Sequence, residues 1–347
     1  KAPREGQVYP RDVKSNKATV KIAGTVKEVG YQSISLSVTG EGFETHKEEK
    51  ALTYEGTSAR FDFSVSIPAE LRNRQFDISL VKAGQAEVIK TVKDVVAGDV
   101  YLINGQSNAE ARSFRGSANG NRHPFLRSFG ARRHHPSVTQ DTKWHEANGD
   151  INQGPGAVGQ WGLRLGRILI DTEKIPIAIL NGALGGRPIG HFKRNDNDHY
   201  ALNTNYGRLL WRVREAGLLN GVRGVLWYQG ESDHGNGAVH ETGWIQLYKN
   251  WKENIPSIER VYVQQLRTGC GVQKWNVDLR DRQRRLPDQF DDISVMSTTG
   301  IDKHDGCHYN FEDGYETIGN RTAKLVIRDL YGAPDTGNIE APNIKKA

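Results

Sequence analysis

The stretch Val100–Asn108, VYLINGQSN, sets the reading of the whole chain. Four apolar residues, Val100 to Ile103, stop at Asn104-Gly105, and a serine follows two residues later. An apolar run cut off by a turn signal predicts a buried strand ending in a tight turn. Gly105 lets the backbone turn sharply, so Ser107 is expected at the strand's carboxyl end, where open α/β sheets bind ligands. A serine hydroxyl is a weak nucleophile until a base removes its proton. The rest of the chain must then supply that base, a group to orient it, and donors for an oxyanion.

Upstream of this stretch, residues 17–96 read as all-β. Ala18 to Ile22, Ser33 to Val38, Ala59 to Val65 and Phe76 to Val81 each alternate apolar and polar residues. That period of two predicts half-buried antiparallel strands, and several in so short a span predict a small β-sandwich. No cluster of His, Asp and Ser there carries chemistry, so residues 1–97 are expected to form an accessory domain, structural or carbohydrate-facing.

The pattern changes after Val95-Val96-Ala97-Gly98. Apolar segments now alternate with helical ones, which predicts α/β architecture with a parallel sheet and crossover helices over residues 98–332. Strands are expected at 176–181, 222–227, 261–266 and 293–297, and helices at 158–170, 206–216, 242–251, 276–286 and 314–330. Residues 113–155 show no period and are expected to be loops over the sheet's edge. The tail, 333–347, is rich in Pro, Asn and Lys and reads as a linker or frayed end.

Composition narrows the function classes. The chain has 347 residues, enough for two domains, and a net charge of +6 from 47 Lys+Arg against 41 Asp+Glu. The basic residues are scattered, with no basic helix or aromatic-basic repeat, so a nucleic-acid partner is not expected. The chain opens at Lys1 and has no apolar h-region and no 18-residue apolar stretch. A soluble protein, processed or trimmed, is therefore expected. Two cysteines, Cys270 and Cys307, are either paired or both free, and neither has zinc-ligand spacing.

Four strand ends carry polar, glycine-flanked groups: Asn104–Asn108, Gly185-Gly186, Gln229-Gly230-Glu231 and Asp305-Gly306-Cys307-His308. His308 is the best candidate base for Ser107. Asp305, three residues earlier, is close enough in one turn to take the Nδ1–H while Nε2 faces the serine. Nucleophile, base and orienter make a triad whose order along a chain is free to vary. The amides of Ser107 and Gly186 and the side-chain NH₂ of Gln229 are the expected oxyanion donors. Asn108, next to the nucleophile, and Arg187, next to the oxyanion glycine, are the expected substrate contacts. Arg187 would pair its guanidinium with a carboxylate or sulfate. Glu231 is expected to hydrogen-bond locally behind Gln229. His304 and Asp302 are nearby rivals of the same residue types, but they are two residues apart and do not form D-x-x-H.

These blocks, GQSN after a strand, a later GG, WYQGESD and a terminal D-x-x-H, resemble those of SGNH/GDSL hydrolases, and more narrowly the sialate O-acetylesterase-like carbohydrate esterases. The resemblance covers roughly residues 99–331. It implies a three-layer α/β/α flavodoxin-like fold and deacetylation of sugar hydroxyls by Ser107, His308 and Asp305, without metal or other cofactor. It also implies oxyanion contacts from Ser107, Gly186 (Gly185 if the register is one residue off) and Gln229, where many relatives carry Asn. The expected partner is an acetylated oligo- or polysaccharide, possibly acidic, met in a secreted or periplasmic setting. Ala109 stands where relatives often have Met, and Arg187-Pro188-Ile189 where a small hydroxyl residue is common, so pocket shape is the part least implied. A lipase or arylesterase, or a carbohydrate-binding protein without activity, are the alternatives.

Overall fold

Gly105 shows why the sequence turns where it does. Its φ is +132°, and a Cβ there would lie 2.1 Å from the carbonyl oxygen of Tyr228. Only glycine allows the two strand ends to approach this closely. The computed structural model that shows this describes residues 1–272, 277–337 and 339–342. It divides into two compact units, Lys1–Gly98 and Asp99–Ala347.

The first unit is built of strands among its described residues. These are β1 (Val8–Pro10), β2 (Lys17–Val26), β3 (Ser33–Thr39), β4 (His46–Ala51), β5 (Tyr54–Glu55), β6 (Ser58–Pro68), β7 (Arg74–Lys82) and the first part of β8 (Gln85–Gly105). One sheet has the order β2-β6-β5; in the other, β3 pairs with β4 and β7, and β8 pairs with β7 and β1. The alternation read from sequence is visible in β2, where Ala18, Val20 and Ile22 are buried while Lys17, Thr19 and Lys21 are exposed. Burying one such valine or isoleucine contributes about 2 kcal/mol.

The second unit carries β9 (Leu126–Phe129), β10 (Trp144–Glu146), β11 (Ile177–Asn181), β12 (Val222–Tyr228), β13 (Arg260–Gln265) and β14 (Ile293–Ser297). With the end of β8 they run in the order β10-β9-β11-β8-β12-β13-β14. All neighbours are parallel except β10, which runs antiparallel to β9. With β9 and β10 at the edge left out, the strands counted from β8 follow 2-1-3-4-5, the flavodoxin-like order, whose switch point lies beside the first strand. Ser107 lies two residues beyond the end of that strand.

The helices are α1 (Ser107–Glu110), α2 (Gln160–Glu173), α3 (Asn205–Glu215), α4 (Gly237–Asn254), α5 (Val277–Arg284) and α6 (Glu316–Tyr331). Trp161, Leu165 and Leu169 recur every four residues along α2 and are fully buried, which places one apolar face inward. That helix packs against α6, and α4 packs against α5.

Two expectations change. Residues 113–155 are not loop throughout, since β9 and β10 lie there. Arg127 and Ser128 in β9 are buried polar residues, and Arg127 Nε donates to Pro124 O at 2.9 Å. Buried polar side chains leave no apolar alternation for a sequence reading to find. The last helix starts at Glu316 instead of Gly314, because Phe311–Tyr315 forms a wider turn in which Asp313 has φ +56°. Asn276 of the expected fifth helix, and residues 338 and 343–347 of the tail, lie outside the described residues.

Candidate active site

The nucleophile turn is held by the strands on either side of β8. Gln106 N donates to Tyr228 O at 2.9 Å, and Leu184 N to Gly105 O at 2.9 Å. Gln106 Oε1 accepts the amides of Gly230 and Ser232 at 3.3 and 3.2 Å. Three of the four blocks are thereby joined through backbone groups. Ser107 opens the single turn α1, where the first amides have no partner within the helix.

Ser107, Gly185, Gly186, Glu231, Cys307 and His308 line one cavity of about 570 Å³. The glycine pair packs directly against the serine, since a Cβ on Gly185 would lie 3.3 Å from Ser107 Cβ. Among the described residues no hydrogen bond joins Ser107 Oγ to His308. The His308 ring stacks on Phe114, with centroids 4.1 Å apart, and its Nε2 lies 3.5 Å from Cys307 Sγ. Nucleophile–base contacts are often long before substrate binds.

Asp305 shapes the histidine loop in two ways. Its Oδ1 accepts the amides of Cys307 and His308 at 2.8 and 2.7 Å, and its Oδ2 lies 3.8 Å from His308 Nδ1. The second distance is that of an ion pair, beyond hydrogen-bond range. Those amide bonds, His308's above all, lower the Asp305 carboxyl below the usual value. Burial lowers the His308 imidazole, and the neighbouring Asp305 charge opposes it. The rival His304 accepts from Gly306 N at 3.0 Å and is not on the cavity wall.

Three expected site residues are placed elsewhere. Gln229 is fully buried, and its NH₂ donates to Arg187 O at 3.1 Å and Asp233 Oδ2 at 2.5 Å. Both hydrogens are used there, and Gln229 is not among the cavity residues. Asn108 is buried too, because its polar groups have partners inside. Its Nδ2 donates to Glu231 Oε1 at 2.8 Å and Cys307 O at 3.3 Å, and its Oδ1 accepts from Tyr315 OH at 3.0 Å. Asn108 thus ties the nucleophile turn to the histidine loop, and it is not among the cavity residues. Arg187 is exposed and off the cavity wall; Arg112 lies on it.

Glu231 is buried on the cavity wall, and its carboxylate is held by Asn108. Burial raises its carboxyl, with the Asn108 hydrogen bond opposing. Asp233 holds the neighbouring turn through Gln229 Nε2 and Ile189 N, the latter at 2.8 Å.

Sequence reasoning missed Glu110. It is buried on the cavity wall, with Arg132 Nη1 at 2.7 Å from Oε1 and Arg112 Nε at 3.1 Å from Oε2. Burial opposes its charge, yet the His134 and Arg132 contacts outweigh it and hold the carboxyl at about 2. The only signal was a carboxylate three residues after the serine. Its partners lay in the stretch without period.

The two cysteines form a disulfide, Cys270–Cys307, with Cα atoms 4.4 Å apart. No helix among the described residues is long and apolar enough to cross a membrane.

The comparisons with known proteins give the class of this α/β protein with a mostly parallel central sheet. The profile of a family described as carbohydrate esterase, sialic acid-specific acetylesterase, matches residues 97–328. The chain belongs to that family and is a carboxylic ester hydrolase acting on carbohydrate. Among solved structures it is similar to a carbohydrate acetylesterase from Xanthomonas citri, with TM-score 0.62 and 19% identity, covering 96% of this chain and 76% of that one. It is also similar to a protein from Arabidopsis thaliana, with TM-score 0.53 and 19% identity, covering 67% of this chain and 98% of that one. No curated protein matches it.

Proposed function

We propose that the enzyme removes O-acetyl groups from a glycan through Ser107, His308 and Asp305. The observation that carries this reading is the single cavity that Ser107, the Gly185-Gly186 turn and His308 share. In this reading His308 moves away from Cys307 Sγ when substrate binds, so that Nε2 can take the Ser107 proton. The serine oxygen then attacks the acetyl carbonyl as its proton passes to Nε2. The amides of Ser107 and Gly186 hold the developing oxyanion in place of water. Gln229 supports that hole at one remove, since its bond to Arg187 O anchors the glycine turn. His308 returns the proton to the departing sugar oxygen, and water attacks the acetyl-serine to release acetate.

The same reading takes the second unit as a three-layer SGNH domain and the first as an accessory β-sandwich. The disulfide supports a secreted or periplasmic setting, where such bonds persist. For an acidic glycan, Arg112 on the cavity wall is better placed than Arg187. Arg112→Ala should then raise KM on an acidic acetylated glycan more than on a neutral aryl acetate, while Arg187→Ala changes neither.

Acetate release from a panel of acetylated glycans tests the whole reading. Ser107→Ala should lower kcat on the order of 10⁴- to 10⁶-fold while leaving the fold intact. Acetate release by that variant at the wild-type rate would remove Ser107 from the chemistry. A preference for long acyl chains would move the enzyme toward the lipases.

A further inference from the structure

The geometry points to a latent zinc site, Cys270, Cys307 and His308, that forms when the disulfide is reduced and silences the esterase. The ligand atoms of these three residues all lie within 4.8 Å of one another. Cys307 Sγ and His308 Nε2 are 3.5 Å apart. Tetrahedral zinc with bonds of about 2.3 Å to sulfur and about 2.0 Å to nitrogen places S and N about 3.5 Å apart. One edge of the coordination tetrahedron therefore already exists.

The two sulfurs must part from bonded contact to about 3.8 Å, the S···S edge of such a tetrahedron. The backbone around them suits that change. Gly269 and Gly271 bracket Cys270, Gly306 precedes Cys307, and all three have positive φ. Rotation about either Cα–Cβ bond then moves the sulfur without moving the strands. Arg267 donates from Nη2 to Cys307 O at 3.1 Å, which holds the backbone of Cys307 while the side chains rearrange. The fourth zinc position faces the cavity that all three residues line, leaving room for water.

The chemistry balances with a dithiol as reductant. The dithiol gives up two electrons and two protons and closes into its own disulfide, while the Cys270–Cys307 bond breaks into two thiols. Zinc then displaces both thiol protons. The imidazole nitrogen it takes, Nε2, is the atom the proposed function needs as base, so bound zinc and catalysis exclude each other. Zinc binding itself does not depend on that reading; only its effect on activity does.

The test uses the full chain, reduced with a dithiol that is then removed under anaerobic conditions. Cobalt(II), as a spectroscopic stand-in for zinc, should give one equivalent of a thiolate-to-metal charge-transfer band, bleached by zinc. One equivalent of zinc should lower aryl acetate hydrolysis at least 10-fold, and a chelator should restore it. The oxidised protein should show neither effect. Reduced Cys270→Ser should bind about 100-fold more weakly, since one thiolate ligand is gone. Absence of the charge-transfer band, or equal zinc inhibition of the oxidised and the reduced wild-type protein, overturns the inference. If the protein releases no acetate at all, the proposed function fails while the cobalt spectrum still decides the site.

Discussion

The nucleophile turn and the histidine loop reach the same cavity by different means. Ser107 sits just past the end of a central strand, and the chain beside it is fixed by backbone bonds to Tyr228 at the end of β12 and to Leu184 in the loop after β11. His308 sits on a loop after the edge strand β14. That loop is held by the disulfide, by Asn108 and Arg267 on Cys307 O, and by Phe114 stacked on the imidazole. One half of the proposed triad is thus positioned by the sheet and the other by side chains. The second half can be perturbed without moving the first.

Removing the disulfide tests this division most severely. It spans 37 residues, and closing a loop of that size stabilises the folded chain by about 4 kcal/mol in the chain-entropy account. Cys270→Ser with Cys307→Ser should lower the stability measured in urea by up to that amount. Hydrogen exchange sharpens the comparison: amides of residues 304–310 should lose protection while those of 100–105 keep theirs. Equal loss in both stretches would show that the two halves are not separable.

The nucleophile side has a weakness of its own, at acid pH. Glu110 is held at about 2 in the folded protein against an ordinary value of 4.5. A folded-state value below the unfolded one contributes stability that is complete above about pH 4.5 and is lost as pH falls toward 2. A difference of that size corresponds to about 3 kcal/mol. Urea unfolding followed from pH 6 to pH 3 should show this loss, and Glu110→Gln should flatten it while lowering stability at pH 6. A wild-type slope that the variant reproduces would clear Glu110 of the effect.

Glu110 also shows where sequence reading stops. The parallel sheet, its order of blocks and the serine after β8 were legible because apolar runs and glycine punctuation are local signals. Gly105 needed no partner to be read as a turn. The inward course of Asn108 and Gln229 was not legible, because each is set by a residue more than forty positions away or by a turn of the opposite strand: Cys307 for one, Arg187 for the other. Arg132, which neutralises Glu110, lies in a stretch where buried polar residues hide the strand they belong to.

The smallest expected effect isolates the histidine loop's own orienting group. Asp305→Asn keeps an oxygen to accept the amides of Cys307 and His308 and removes only the charge. The Asp305 side chain is 55% exposed, and its Oδ2 stands 3.8 Å from Nδ1, so water screens much of the attraction. A buried, hydrogen-bonded carboxylate at this position costs about 10⁴ in kcat when made neutral. Here the loss should be about 10- to 100-fold, with the unfolding midpoint unchanged. A loss near 10⁴ would mean that substrate closes the 3.8 Å gap and dries the pair, making the side-chain-held half as rigid in the complex as the sheet-held half is without it. No loss at all would leave Asp305 as a support of the loop's backbone and nothing more.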